Sequence, residues 1–203
     1  MLPLRAEAPG LRREGAAMTG DAFMGLVRER RSIRHFLDKP VPREIIESCL
    51  EAARLAPSAE NVQPWRFLVL DEPERVRAFG ERAFSGIYRF TRWALKAPVM
   101  VVMFAKLDFL ANKVGKHLQG TQYYLLDVGI AGTHLMMRAC EQGLGGCWIG
   151  WFNAKKAAAA LELPGKYRVV CCMALGYYDE PKKRRKKKRE LDKTAWFNEM
   201  RGG

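Results

Sequence analysis

The sequence lacks any apolar run long enough to cross a bilayer. Its longest apolar stretch, residues 97–105, is far shorter than the roughly 18 residues that a membrane-spanning helix needs. That length suits a buried strand. Residues 1–17 mix Arg, Glu, Pro and Gly without the apolar core of a secretory signal. We therefore expect a cytoplasmic protein with a flexible leader over residues 1–17 and Met18 as a possible start.

Metal-ligand patterns are also lacking. The chain has only three histidines and five cysteines, and none of their spacings matches a zinc or iron–sulfur motif. An odd number of cysteines argues against a disulfide framework. No His–Asp pattern accompanies Cys147, so we interpret it as a packing thiol rather than a nucleophile. The sequence predicts neither a metal centre nor a thiol enzyme.

Acidic residues are too few to balance the basic ones. The chain has 35 Lys and Arg against 22 Asp and Glu, which gives a net charge of +13. Residues 182–189 are one run of eight basic residues, so the rest of the chain carries about +5 (13 − 8). The run is either an inert solvated tail or a patch that binds nucleic acid or anionic lipid weakly.

One domain accounts for the length and composition. At 203 residues and 48% hydrophobic, the chain can bury one substantial core. Because helical and strand patterns do not alternate strictly as βαβ, we expect an α+β fold, with the domain over residues 18–180 and a basic arm over 181–203. Hydrophobic periodicity predicts helices near residues 23–27, 45–53, 74–83, 118–142 and 153–161, and extended segments at 66–70, 97–104, 147–150 and 169–175.

Two segments within residues 30–65 carry groups suited to a phosphorylated, planar cofactor. Residues 30–34 (RRSIR) supply guanidinium forks and a hydroxyl for a phosphate, although such a cluster is also common as solvated surface charge. One helix later, residues 56–65 (APSAENVQPW) supply turn amides and an aromatic ring, although a plain turn has the same composition. The coincidence of the two segments favours a cofactor site.

These two segments, followed by residues 143–150 (GLGGCWIG) and 174–177 (ALGY), resemble the FMN-dependent nitroreductase family in the same order. The resemblance covers residues 22–191. It implies a central, mostly antiparallel sheet flanked by helices, in a domain-entwined homodimer. It also implies two FMN sites at the subunit interface, each built from both chains.

The resemblance implies roles for particular residues. Arg30, Arg31 and Ser32 match residues that hold the FMN phosphate and ribityl chain, and Arg34 matches a cation beside the pyrimidine end of the ring. A Lys or Arg pair near Lys186 and Lys188 matches further phosphate contacts, with an uncertainty of two residues. Two segments match residues that approach the ring: Pro57, Ser58, Ala59, Asn61 and Gln63 from the other subunit, and Ile149, Gly150 and Trp151 near N5. Trp151, like Trp148, either stacks on the cofactor or substrate or packs in the core.

The implied activity is hydride transfer from NADH or NADPH through FMN to a nitroaromatic, quinone or related planar acceptor. Residues 143–146 lack the Gly-x-Gly-x-x-Gly spacing of a dinucleotide fold, so we expect the nicotinamide to bind only transiently. Three alternatives stay open. The first is a specialised family reaction, namely reductive dehalogenation, ring oxidation or flavin cleavage. The others are a flavin carrier without turnover and a basic nucleic-acid or membrane-surface binding protein.

Overall fold

A computed structural model describes residues 20–107, 120–179 and 187–199. The predicted leader, Met18, the predicted helix start at residue 118, and Lys186 with most of the basic run lie outside the described residues. No described helix is both long and apolar enough to cross a membrane.

Helices and strands follow one another along the chain without strict alternation. The helices are α1 (Gly20–Glu29), α2 (Arg43–Arg54), α3 (Pro73–Ala83), α4 (Tyr123–Glu141) and α5 (Ala154–Ala160). The strands are β1 (Trp65–Leu70), β2 (Val99–Lys106), β3 (Gly145–Ile149) and β4 (Tyr167–Gly176). Short 3-10 segments cover Ala59–Asn61, Gly86–Lys96 and Leu191–Lys193.

The strands form one sheet in the order β1-β2-β4-β3, and every neighbouring pair is antiparallel. Strand β2 lies inside the sheet and is buried along nearly its whole length, as expected for an apolar run between two neighbours. Strand β3 forms one edge of the sheet. The predicted α+β fold with an antiparallel sheet is confirmed.

Alternate residues of β2 face two separate hydrophobic cores, because successive side chains of a strand point to opposite sides of the sheet. Val99, Val101 and Met103 pack with residues of α2 and α4. Met100 and Val102 pack on the other side with α3 and the Gly86–Lys96 segment. The sheet is therefore the middle of three layers.

The long helix α4 has one buried face and one exposed apolar face. Tyr124, Val128, Leu135 and other residues at helical spacing are buried against the sheet and α2. Leu125, Leu126 and Ile130 are 40–55% exposed on the other side. The all-round apolar pattern in the sequence thus reflects two different faces.

Glycines set the boundary between α4 and β3. Gly143 has φ of +76° just after the helix, a conformation that favours glycine. Strand β3 begins at Gly145, two residues before the predicted extended segment. A Cβ on Gly145 would lie 2.6 Å from Ile33 Cγ1, and one on Gly146 would lie 2.7 Å from Met136 Sδ. Gly145 and Gly146 therefore belong to a tightly packed strand, although a glycine-rich composition is also typical of a loop.

The cysteines are packing residues, as predicted. None of the five forms a disulfide, and all but the partly exposed Cys140 are buried. Burial raises the pKa of Cys49 to about 11, despite the nearby Arg138, and the pKa of Cys171 to about 12. These two thiols are accordingly neutral near pH 7.

Asp127 is the charged side chain that the fold buries within the described residues. It is 4% exposed and accepts a hydrogen bond of 3.0 Å from the Ala59 N–H. Burial raises the pKa of this carboxyl above its ordinary value, and the Ala59 bond opposes that shift.

We expect Gly132→Ala to destabilise the protein by about 1–2 kcal/mol, because a Cβ there overlaps the Trp148 ring and lies 2.9 Å from Met103 Sδ. This overpacking outweighs the gain of about 1 kcal/mol in helix propensity. Urea denaturation measures the difference. Gly25→Ala is the matched control, since no atom lies within 4 Å of its Cβ in helix α1, and it should be neutral or stabilising. Equal stability of Gly132→Ala and wild type would contradict the packing.

We expect Asp127→Asn to change how stability depends on pH. Because the pKa of Asp127 is raised in the folded state, the folded protein holds the proton to a higher pH than the unfolded chain does. Wild-type stability should therefore fall, relative to the variant, as pH rises above about 3.8, the ordinary value. Urea denaturation of both proteins across a pH series tests this, and parallel profiles would contradict it.

Candidate functional site

Residues 30–34 lie along the edge strand β3. Ser32 forms a parallel bridge with Gly146, and the Ile33 N–H donates to the Gly146 carbonyl oxygen at 3.0 Å. The buried side chain of Ile33 anchors the segment, whereas Ser32 and Arg34 on either side are exposed. Alternation along this extended segment thus presents a hydroxyl and a guanidinium on one side.

Two cations of this segment, Arg30 and Arg34, keep their charge available. Arg30 and Arg34 form no ion pair with a carboxylate of the described residues. The Arg34 guanidinium lies 5.7 Å from the centroid of the Trp93 ring, within range of a cation–π interaction. An aromatic face holds a guanidinium without neutralising it, which suits a site that binds an anion.

Cys147 lies beneath this segment. Burial raises the pKa of its thiol, while the charges of Arg34 and Arg30 and a hydrogen bond with Ser32 act in the opposite direction. The Cys147 thiol also donates a hydrogen bond of 3.5 Å to the Trp148 carbonyl oxygen. Arg30, Ser32 and Arg34 therefore all act on one buried thiol. Its pKa still lies above the ordinary value, so the thiol stays protonated.

Residues 57–63 form an exposed turn with unusual backbone angles. Glu60, Asn61 and Gln63 all have φ between +48° and +54°, in the left-handed region that non-glycine residues seldom adopt. The Ser58 hydroxyl accepts from the Gln63 N–H at 2.9 Å, and Gln63 Nε2 donates to Asn61 Oδ1 at 3.0 Å. Backbone strain of this kind is concentrated at functional sites.

The turn is attached to helix α4 through the bond between the Ala59 N–H and Asp127. Sequence reasoning missed Asp127. The signal was present, because Asp127 is the single carboxylate in the middle of an otherwise apolar helical pattern. The Ala59 N–H thus bonds to α4, and the Gln63 donors bond to Ser58 and Asn61 within the turn. None of these bonds reaches residues 30–34 or 149–151.

Residues 149–151 leave the end of β3 beside the Gly86–Lys96 segment. The Ile149 side chain is 2% exposed and belongs to the core, so only its backbone can face a ligand. Gly150 is exposed, with open space where a Cβ would stand. Trp151 is 56% exposed; its indole N–H donates to the Ile87 carbonyl oxygen at 3.3 Å, and its ring packs against Tyr88 at 5.3 Å.

The two tryptophans of this region differ in environment. Trp148 packs against Met103 and Gly132 in the first core, whereas Trp151 presents its ring at the surface. Of the two, only Trp151 is therefore placed to stack on a ligand. Among the described residues, no cluster of His, Cys, Asp or Glu is arranged to hold a metal.

The structure thus joins residues 30–34 and 147–150 on one edge of the sheet and fixes the turn separately on α4. Lys188 is exposed, and its neighbour Lys187 lies 3.2 Å from Glu190. Lys186 lies outside the described residues. The roles of both lysines stay predictions.

Two relatives of known name are similar to the chain over most of its length. The chain is 30% identical over 181 residues to a Thermus thermophilus protein named NADH dehydrogenase, covering 73% of this chain and 83% of that protein. It is 30% identical over 206 residues to 4-nitrobenzoate reductase of Pseudomonas putida, covering 81% and 88%.

Solved structures give the same result for the fold. A structure described as an FMN-dependent nitroreductase from Clostridium difficile superposes with a TM-score of 0.70 and 30% identity, over 87% of this chain and 99% of that one. The family model described as the nitroreductase family matches residues 27–177. That match spans both segments of the sheet edge and the turn on α4, and the chain therefore belongs to the nitroreductase family.

Proposed function

We propose that the protein is a cytoplasmic, FMN-dependent oxidoreductase that passes a hydride from NADH or NADPH to a nitroaromatic, quinone or related planar acceptor. The observation that carries the proposal is the family match over residues 27–177, within which residues 30–34 lie against the edge strand that leads to Gly150. The named activities of the relatives, NADH dehydrogenase and 4-nitrobenzoate reductase, support the same reaction class.

The residues present suit FMN. Arg30 and Arg34 carry charges that no described carboxylate neutralises, and the Ser32 hydroxyl is exposed beside them. Arg30, Arg31 and Ser32 would hold the phosphate and ribityl chain, together with Lys186 and Lys188. The open space at Gly150 lets a planar ring approach the backbone of Ile149, Gly150 and Trp151. When bound, FMN supplies the hydride and electron chemistry that the protein's own side chains lack.

Arg34 would stabilise negative charge at the pyrimidine end of a bound FMN ring. Its position on the Trp93 face restrains the guanidinium while leaving its full charge available. A fixed cation favours the reduced, more negative form of the cofactor. Its contribution is therefore larger to turnover than to binding of the oxidised cofactor.

A homodimer completes the site in this proposal. The exposed apolar residues of α4, Leu125, Leu126 and Ile130, form a concave patch together with Gly129. Helix α1 lies against α4 and adds the exposed side chains of Phe23, Met24 and Val27. Contiguous exposed apolar side chains mark interaction surfaces, and a second copy that covers them would bring its own turn, Pro57 to Gln63, to the flavin.

The decisive experiment is an absorption spectrum of the purified protein, with and without added FMN, at the flavin band of about 450 nm. Anaerobic addition of NADH or NADPH should then bleach the band, and a nitroaromatic or quinone should restore it. A protein that binds no FMN would reject the proposal. Binding without bleaching would favour a flavin carrier, and salt-sensitive binding of nucleic acid without FMN would favour the basic binding protein.

We expect Arg34→Ala to lower kcat by about tenfold or more while FMN content changes by less than about twofold, because the cation acts mainly on the reduced cofactor. Turnover of NAD(P)H and the flavin-to-protein ratio measure the two quantities. Arg28→Ala removes another exposed guanidinium and should change neither. Equal loss of FMN content and turnover in Arg34→Ala would contradict the role assigned to Arg34.

We expect Leu126→Glu to convert the dimer to a monomer and to reduce FMN content with it. Leu126 is 55% exposed in the single chain, so the change should spare folding, but a carboxylate buried at the interface costs several kcal/mol. Light scattering after size-exclusion chromatography gives the mass. Lys155→Gln on α5 makes the same change in net charge at an exposed position and should remain dimeric. A dimeric, flavin-loaded Leu126→Glu would contradict the proposed interface.

A further inference from the structure

We propose that Asp127 is a positioning residue for flavin binding: its carboxylate fixes the turn of residues 57–63 to helix α4 in the conformation that meets the cofactor. This inference rests on the proposed function, since it needs the turn to contact FMN. It concerns a residue that touches neither the cofactor nor the substrate.

The burial of Asp127 needs an explanation that helix stability does not provide. Its side chain is 4% exposed on the face of α4 that carries Tyr124, Val128 and Ala131, and it has no ion-pair partner among the described residues. Aspartate is a poor helix former, and an unpaired buried carboxylate is costly. An apolar residue would serve the core better, so the function of Asp127 lies in the bond that it makes.

The bond to Asp127 attaches the turn to helix α4, whereas the hydrogen bonds within the turn do not. Three left-handed residues, Glu60, Asn61 and Gln63, make the turn unfavourable by local backbone energies. The bonds from Gln63 to Ser58 and Asn61 shape the turn internally. The Ala59 N–H bond of 3.0 Å to Asp127 Oδ1 joins residues 68 positions apart and connects the turn to α4.

Helix α4 also carries the proposed dimer surface. Leu126 and Ile130 are exposed on one side of the helix, while Asp127 is buried on the other. The helix is rigid, so the bond from Asp127 sets the position of Asn61 and Gln63 relative to the interface. The position of the turn relative to the interface matters if the turn contacts the flavin of the partner subunit, because the turn and that flavin must then be aligned across the interface.

Three variants separate positioning from general stability. Asp127→Ala removes the acceptor, and Asp127→Asn keeps an amide oxygen in the same place. Val128→Ala truncates the fully buried neighbouring residue and removes no hydrogen bond of the turn. For each dimeric variant, the FMN dissociation constant, the flavin midpoint potential, and kcat and KM are measured. Thermal denaturation reports the stability of each protein.

We expect Asp127→Ala to weaken FMN binding by about tenfold relative to Val128→Ala, which corresponds to the loss of one well-placed hydrogen bond. The midpoint potential and kcat should shift in Asp127→Ala, while Val128→Ala keeps wild-type values despite a lower melting temperature. Asp127→Asn should restore FMN affinity to within about threefold of wild type, because the Ala59 N–H keeps its acceptor.

Two results would overturn the inference. One is FMN affinity and midpoint potential in Asp127→Ala equal to those in Val128→Ala, which would reduce Asp127 to a core residue. The other is failure of Asp127→Asn to restore binding. In both cases wild type still binds FMN and turns over NAD(P)H, whereas absence of FMN binding by wild type rejects the proposed function itself.

Discussion

The close approach of residues 30–34 to the sheet edge is the contact on which the site depends. Ile33 can donate to the Gly146 carbonyl oxygen only because Gly145 has no side chain, since a Cβ there would overlap Ile33. The same contact buries Ile33 and leaves Ser32 and Arg34 exposed. One missing side chain in β3, that of Gly145, thus determines where a hydroxyl and a guanidinium stand.

The polar side chains near this contact and on α4 differ in charge state and burial. The guanidinium of Arg34 lies on an aromatic face rather than against a carboxylate, so its charge remains available to a ligand. Cys147 beneath it stays a neutral thiol because burial outweighs the neighbouring cations. Asp127, in contrast to the exposed Arg34, is a buried acidic side chain that accepts a hydrogen bond from the Ala59 backbone N–H. These polar groups fit the proposed role of holding and orienting a cofactor, and the neutral Cys147 thiol is not prepared for nucleophilic attack.

The sequence predicted the strongly patterned parts of the fold. The apolar run at 97–104 and the helical spacing of Ile45 to Ala53 correspond to β2 and α2, because both patterns follow directly from burial. No element is predicted from the sequence between residues 83 and 97, and the structure forms a 3-10 segment there over Gly86–Lys96. The start of β3 was also missed, because glycine patterns look alike in a tight strand and in a loop.

The order of the motifs by itself determined the family and the residue types of the proposed cofactor site, since arginines, a serine and turn amides suit a phosphorylated, planar cofactor wherever they stand in the fold. Only the tertiary structure decided how they are held. It placed residues 30–34 on the β3 edge through backbone pairing, set Trp93 against Arg34, and revealed Asp127 as the anchor of the turn. These contacts join residues as far as 114 positions apart (146 − 32), and local sequence carries no information about such distant neighbours.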